Sequence, residues 1–140
     1  VIRVWLPETL EEIRFATLYV ASKVDDFNPE STHSIICSVN SKSILGAVAY
    51  HNFRTTDIEM VAAGEGRWLN RNALRAYFAH PFLKLNCMRV TAICHKGNKR
   101  ARKFVLKAGF KQEGVHPSAM PDGKTAISYG MERKNCRWII

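Results

Sequence analysis

The hydrophobic patterning predicts an α/β (α+β) fold, with a mixed, mostly antiparallel sheet of about six to seven strands flanked by about three to four helices. Three observations predict it. The 140 residues, 46% of them hydrophobic, supply one sizeable core and leave nothing for a second, so residues 1–140 read as a single domain. No repeat, low-complexity tract or Pro/Gly/Ser linker divides the chain. The elements run β-α-β-β-β-α-β-α-β-β, and the central β-α-β-α units imply a mixed sheet covered by helices.

Each element has its own signature. Val1 to Trp5 alternates as a short strand, and Pro7 followed by Glu8, Glu11 and Glu12 marks a helix start with acids near its positive end. Leu10, Ile13, Thr17, Leu18 and Ala21 keep the helical period. Ser34 to Val39, a turn at Asn40 to Ser43, and Ile44 to Phe53 form a hairpin; its second strand is apolar on both faces and therefore central. A turn over Arg54 to Asp57 leads into a strand from Ile58 to Ala63, which ends at Gly64-Glu65-Gly66. A helix runs next from about Asn70 to Leu83, with Leu74, Tyr77 and Phe78 facing the core and Pro81 bending or ending it. Met88 to Cys94 is a β-branched strand. Asn98 caps a helix whose stripe is Ala101, Phe104, Val105 and Ala108, stopped by Gly109. Phe110 to Val115 and Thr125 to Arg133 are the last strands, joined through Pro121-Asp122-Gly123.

Charge narrows the partners. The net charge is +9, but residues 1–30 hold six acids against three bases, so the remaining body holds 18 bases and 6 acids. Such a body meets an anionic partner, whether a phosphate-rich small molecule, nucleic acid or an acidic protein. Seven of these bases and no acid lie between Lys96 and Lys111. That helix reads as a solvated basic face, or as a contact for an acidic protein or RNA, although no aromatic residues interleave to stack bases. No apolar stretch approaches a membrane span, and no secretory signal is visible at Val1. Cys37, Cys87, Cys94 and Cys136 lack any metal-ligand spacing, which predicts reduced thiols, a cytoplasmic setting and no metal.

The stretch Gly64 to Leu74 leaves a central strand and opens a helix, a junction where backbone N–H groups lacking intrahelical partners and the helix dipole attract anions. Arg67 and Arg71 add full charges, and Asn70 and Asn72 tolerate the left-handed backbone of an anion nest. An ordinary surface loop with an Asn cap is the alternative.

Asn98-Lys99-Arg100-Ala101, then Phe104, the run Lys107-Ala108-Gly109-Phe110-Lys111-Gln112-Glu113-Gly114, and Asp122-Gly123-Lys124 before a strand with Tyr129 resemble the C-terminal half of the Gcn5-related N-acetyltransferase (GNAT) superfamily. The nearest branch is that of the ribosomal-protein N-terminal acetyltransferases. The resemblance implies acetyl-CoA as cofactor, an amine acceptor, and a sheet splayed between the strands at 58–63 and 88–94. The family's (Q/R)-x-x-G-x-(G/A) signature falls on Arg67, Trp68, Leu69, Asn70, Arg71 and Asn72, with Asn at both glycine positions. Backbone N–H groups from Trp68 to Ala73 would grip the pyrophosphate, Asn98 and Phe104 would line the pantetheine arm, and Ala62 would receive the thioester.

Acyl transfer to an amine needs a neutral amine, a donor to the oxyanion and an exit for the thiolate. A backbone N–H near Ala62 supplies the donor. Glu59 is the nearest carboxylate and would accept the amine proton directly or through water; an exposed strand residue balancing arginines is its alternative. Tyr129 is the second catalytic candidate, as donor or acceptor contact, against simple packing in the sheet. The proton donors common in the family are replaced by Val105 and Ala101. His51, His95 and His116 lack an obvious partner. Two further readings stay open, a non-catalytic binding module for an acidic partner or nucleic acid, and an acetyltransferase acting on an aminoacyl-tRNA. A monomer or a homodimer is compatible with the sequence.

Overall fold

A computed structural model describes all residues, Val1–Ile140. Its elements are β1 (Arg3–Trp5), α1 (Leu10–Lys23), β2 (Thr32–Val39), β3 (Ile44–His51), β4 (Asp57–Gly64), α2 (Arg71–Ala79), β5 (Arg89–His95), α3 (Lys99–Ala108), β6 (Lys111–His116) and β7 (Ala126–Glu132). The order matches the one read from periodicity, with seven strands and three α-helices. The sheet runs β1-β2-β3-β4-β5-β7-β6. All pairings are antiparallel except β4 with β5.

Helix α1 starts at Leu10 because Thr9, not Pro7, caps it. Thr9 Oγ1 accepts the Glu12 N–H at 3.1 Å, and Glu12 Oε1 accepts the N–H groups of Thr9 and Glu8 at 3.1 and 3.0 Å, a complete capping box. The buried stripe is Ala16, Thr17 and Val20, while Leu10 and Leu18 are exposed, so the apolar face is rotated from the predicted one. Small residues win because α1 lies close over Ala47, Ala49 and Ala63 of β3 and β4. The opposite face of the sheet carries α2, α3 and the larger core, including Tyr50, Ile58, Phe82, Val90 and Tyr129.

The helix predicted over Asn70 to Leu83 is two pieces, α2 and a single π turn at His80–Lys84. Proline is the cause. Pro81 has no N–H to give the Tyr77 carbonyl, and the Tyr50 hydroxyl donates to that carbonyl instead at 2.7 Å. Gly109 ends α3 at φ 113°, a left-handed position that only glycine adopts cheaply.

Candidate functional site

Strands β4 and β5 pair over only three rungs, Asp57 with Arg89, Ile58 with Val90 and Glu59 with Thr91, and then diverge. Beyond Glu59, the backbone groups of β4 that point toward β5 have no ladder partner. Ala62 lies on this unpaired stretch and is exposed.

The loop after β4 opens α2. Asn70 caps the helix, its Oδ1 accepting the Ala73 N–H at 2.7 Å. The N–H groups of Gly66 through Asn72 donate to no protein acceptor. Seven consecutive donors are therefore open at the positive end of a helix, beside the exposed side chains of Arg67 and Arg71. Two expectations are corrected here. Asn70 is extended at φ −140° and Asn72 is helical, so neither supplies a left-handed nest; Gly66, at φ 63°, is the left-handed residue. Ala73 belongs to the cap and not to the open run.

The Trp68 side chain turns inward and is 8% exposed, its ring 5.7 Å from that of Tyr77 and 6.1 Å from that of Phe104. Gly46 and Gly64 lie directly beneath it, and a Cβ on either would collide with the indole. Trp68 thus pins the loop against α2 and α3 while its backbone stays in the open run, and Leu69 packs against the same core. Asn98 caps α3 through Oδ1 to the Ala101 N–H at 3.0 Å. The first turns of both α2 and α3 lack an acid.

On the α1 side of the sheet a cleft of about 460 Å³ is lined by Asn52, Phe53, Arg54, Asp57, Glu59, Thr91 and Ile93. It runs from Asp57, on the first paired rung, over Glu59 and Thr91 on the last, and reaches Ile93, past the point where the strands part. Glu59 is half-buried, with His51 Nε2 2.7 Å from its Oε2 and Asn52 Nδ2 3.4 Å from its Oε1. The ring nitrogen makes this approach without a well-directed hydrogen bond. Burial alone would push the Glu59 carboxyl up, but His51 and Asn52 together outweigh it and hold the group below the ordinary value. The side chain is therefore a carboxylate at neutral pH.

Tyr129 does not line this cleft. It pairs with Ala92, on the opposite face from Thr91 and Glu59, is fully buried, and its hydroxyl accepts Arg102 Nε at 3.1 Å. Tyr129 packs in the sheet, the alternative to a catalytic role, and its bond removes Arg102 from the solvated basic face of α3. All four cysteines are free and buried, and burial pushes the Cys94 thiol up to about 11 and that of Cys37 up to about 12, which disfavours either as a nucleophile.

The fold recurs among solved structures. The chain superimposes on a GNAT-family acetyltransferase from Bacillus anthracis with TM-score 0.68, at 13% identity over 95% of each chain. It matches the spermidine/spermine N-acetyltransferase SpeG from Vibrio cholerae at TM-score 0.74 and 11% identity, over 96% of each. It also matches a ribosomal-protein-S5-alanine acetyltransferase from Vibrio fischeri at TM-score 0.71 and 16% identity, over 98% of this chain and 94% of that one. The chain has the GNAT fold. No family sequence model and no curated protein matches it, so the likeness lies in the backbone. The sequence left His51 without a partner and ran the strand on to Phe53 before a turn at Arg54 to Asp57, whereas β3 ends at His51, beside Glu59. The β3–β4 register, which sets His51 opposite Glu59, was the signal that could have found the pair.

Proposed function

We propose that the protein is an acetyl-CoA-dependent N-acetyltransferase that transfers acetyl to a primary amine. The observation that carries this reading is the run of open N–H groups from Gly66 to Asn72 beside the β4–β5 fork, which suits a pyrophosphate. The run, Arg67 and Arg71 would hold the diphosphate, and Asn98 and Phe104 would flank the pantetheine arm. Acetyl-CoA, when bound, supplies a thioester whose carbonyl carbon the amine attacks, the C–S bond breaking as the C–N bond forms and coenzyme A leaving as the thiolate.

An unpaired N–H of β4 near Ala62 donates to a carbonyl oxygen lying in the fork. Glu59 takes the amine proton, directly or through one water, and its lowered pKa keeps it ready as a base at neutral pH. An α-amine suits so weak a base, because its reference pKa of about 7.7 to 8 lies well below the roughly 10.4 of lysine. Similarity to N-acetyltransferases of spermidine/spermine and of a ribosomal-protein alanine supports an amine acceptor.

The test is thiol release from acetyl-CoA in the presence of a panel of primary amines, with Glu59→Gln as the variant. Amine-dependent release that falls about 100-fold in the variant is expected, with acetyl-CoA affinity unchanged. Binding without release would favour a second reading, a coenzyme-binding module without turnover. One observation supports that module: Ala101 and Val105 carry no proton donor, and the Tyr129 hydroxyl lies on the other face.

A further inference from the structure

The turn between β3 and β4 is costly to build. Asn52 at φ 53° and Thr55 at φ 67° are both left-handed without being glycine, and a β-branched threonine is rarely found there. Tertiary bonds hold the turn in place, since the Thr56 carbonyl accepts the N–H groups of Met88 and Arg89 at 2.8 and 3.1 Å. This turn supplies one wall of the cleft above Glu59. The lining also includes two apolar side chains, Ile93, 47% exposed, and Phe53, 39% exposed, whose ring packs 5.0 Å from that of His33.

The charges of the cleft are paired unequally. Asp57 is held from below: Thr91 Oγ1 donates to its Oδ1 at 2.9 Å, and Arg89 Nε stands 3.7 Å from the same oxygen. Arg89 is itself fixed to Glu113 across Gly130, where a Cβ would strike both side chains. Asp57 thus has partners besides Arg54, whose side chain is 77% exposed and touches Asp57 through Nη2 alone, at 3.1 Å. Arg54 keeps a free edge of its guanidinium at the rim, and Glu59, approached by His51 and Asn52, lines the cleft with a carboxylate.

We propose that the cleft binds a free α-amino acid with an apolar side chain, its carboxylate on Arg54, its ammonium on Glu59 and its side chain between Phe53 and Ile93. A planar guanidinium matches a carboxylate with two parallel hydrogen bonds, which an amide or a peptide continuation does not offer. The cleft volume of about 460 Å³ accommodates a single residue. Acetylation of the bound amine rests on the acetyltransferase reading; binding of the amino acid does not.

The experiment titrates L-phenylalanine and L-phenylalaninamide into 15N-labelled protein, with and without saturating coenzyme A, for the wild type and Arg54→Gln. Saturable shifts at residues 52–59 and 91–93 are expected, with the amino acid bound at least about tenfold more tightly than its amide. Arg54→Gln should erase that preference by weakening the amino acid alone, and because the side chain is exposed the fold should persist. Equal binding of the amide, or no saturable binding of the amino acid under either condition, overturns the proposal. Coenzyme A shifts at residues 66–72 report on the acetyltransferase reading independently. If those fail while the cleft responds, the cofactor assignment falls and the amino-acid site stands.

Discussion

At the start of α1, Thr9 and Glu12 take up three backbone N–H groups, and Glu11 and Glu12 place negative charge at the helix's positive end. At the start of α2, Asn70 takes up one, and the seven before it stay open beside Arg67 and Arg71. The same physical need, compensation of unpaired donors and a positive dipole, is met internally in the first case and left to an outside anion in the second. Helix α3 sides with α2, with Lys99 and Arg100 in its first turn and no acid.

The largest effect is expected where the open end is reversed. Arg67→Glu with Arg71→Glu should weaken acetyl-CoA binding by about 100-fold or more, each lost charge-assisted contact being worth about 1.5 to 3 kcal/mol. Calorimetry checks this, and denaturant unfolding should show no loss of stability, because both side chains are exposed and an acid at the start of α2 suits its dipole.

The other end of α2 sets the acid limit of the fold. Burial, then Lys84 and His33, lower the His80 pKa from 6.5 to about 4, so the unfolded chain binds the extra proton between those values. The folded-state pKa is depressed; the stabilisation is full above pH 6.5, is lost as pH falls toward about 4, and is flat below. The loss is on the order of 3 kcal/mol, and urea unfolding at pH 7 and pH 4.5 should show it. His80→Gln, which retains a partner for Ser34, should flatten that window.

A smaller effect tests the closed end. Thr9→Ala should cost about 1 kcal/mol of stability and leave acetyl-CoA affinity unaltered. The subtlest change converts one type into the other. Asn72→Glu, on the exposed first turn of α2, should stabilise the fold by about 0.5 kcal/mol while weakening acetyl-CoA several-fold. A variant that gained stability without losing affinity would break the contrast between the two helices.

Much of the fold was legible in the chain. Element order, the Asn98 cap and the Gly109 stop come from periodicity and capping chemistry, both of which are local. The phase of α1 was not legible, because Leu10 and Leu18 lose the core to Ala16 and Val20 only once the small residues of β3 and β4 lie beneath the helix. The left-handed position in the loop fell on Gly66 where the family signature drew attention to Asn70 and Asn72. The face on which Tyr129 sits depends on its register with Ala92, and a one-residue slip in a strand reverses every side chain. The cleft was invisible for a similar reason: His51, Glu59, Asp57 and Arg89 converge from three strands, and a β-branched Thr55 does not announce a left-handed backbone.

The central claim is that the α2 end binds the pyrophosphate of acetyl-CoA, and calorimetric titration of acetyl-CoA into the wild type and Arg67→Ala tests it most directly. Micromolar binding is predicted in the wild type, weakened about tenfold by the substitution. Absence of heat in the wild type at millimolar acetyl-CoA, or equal affinity in the two proteins, would contradict it.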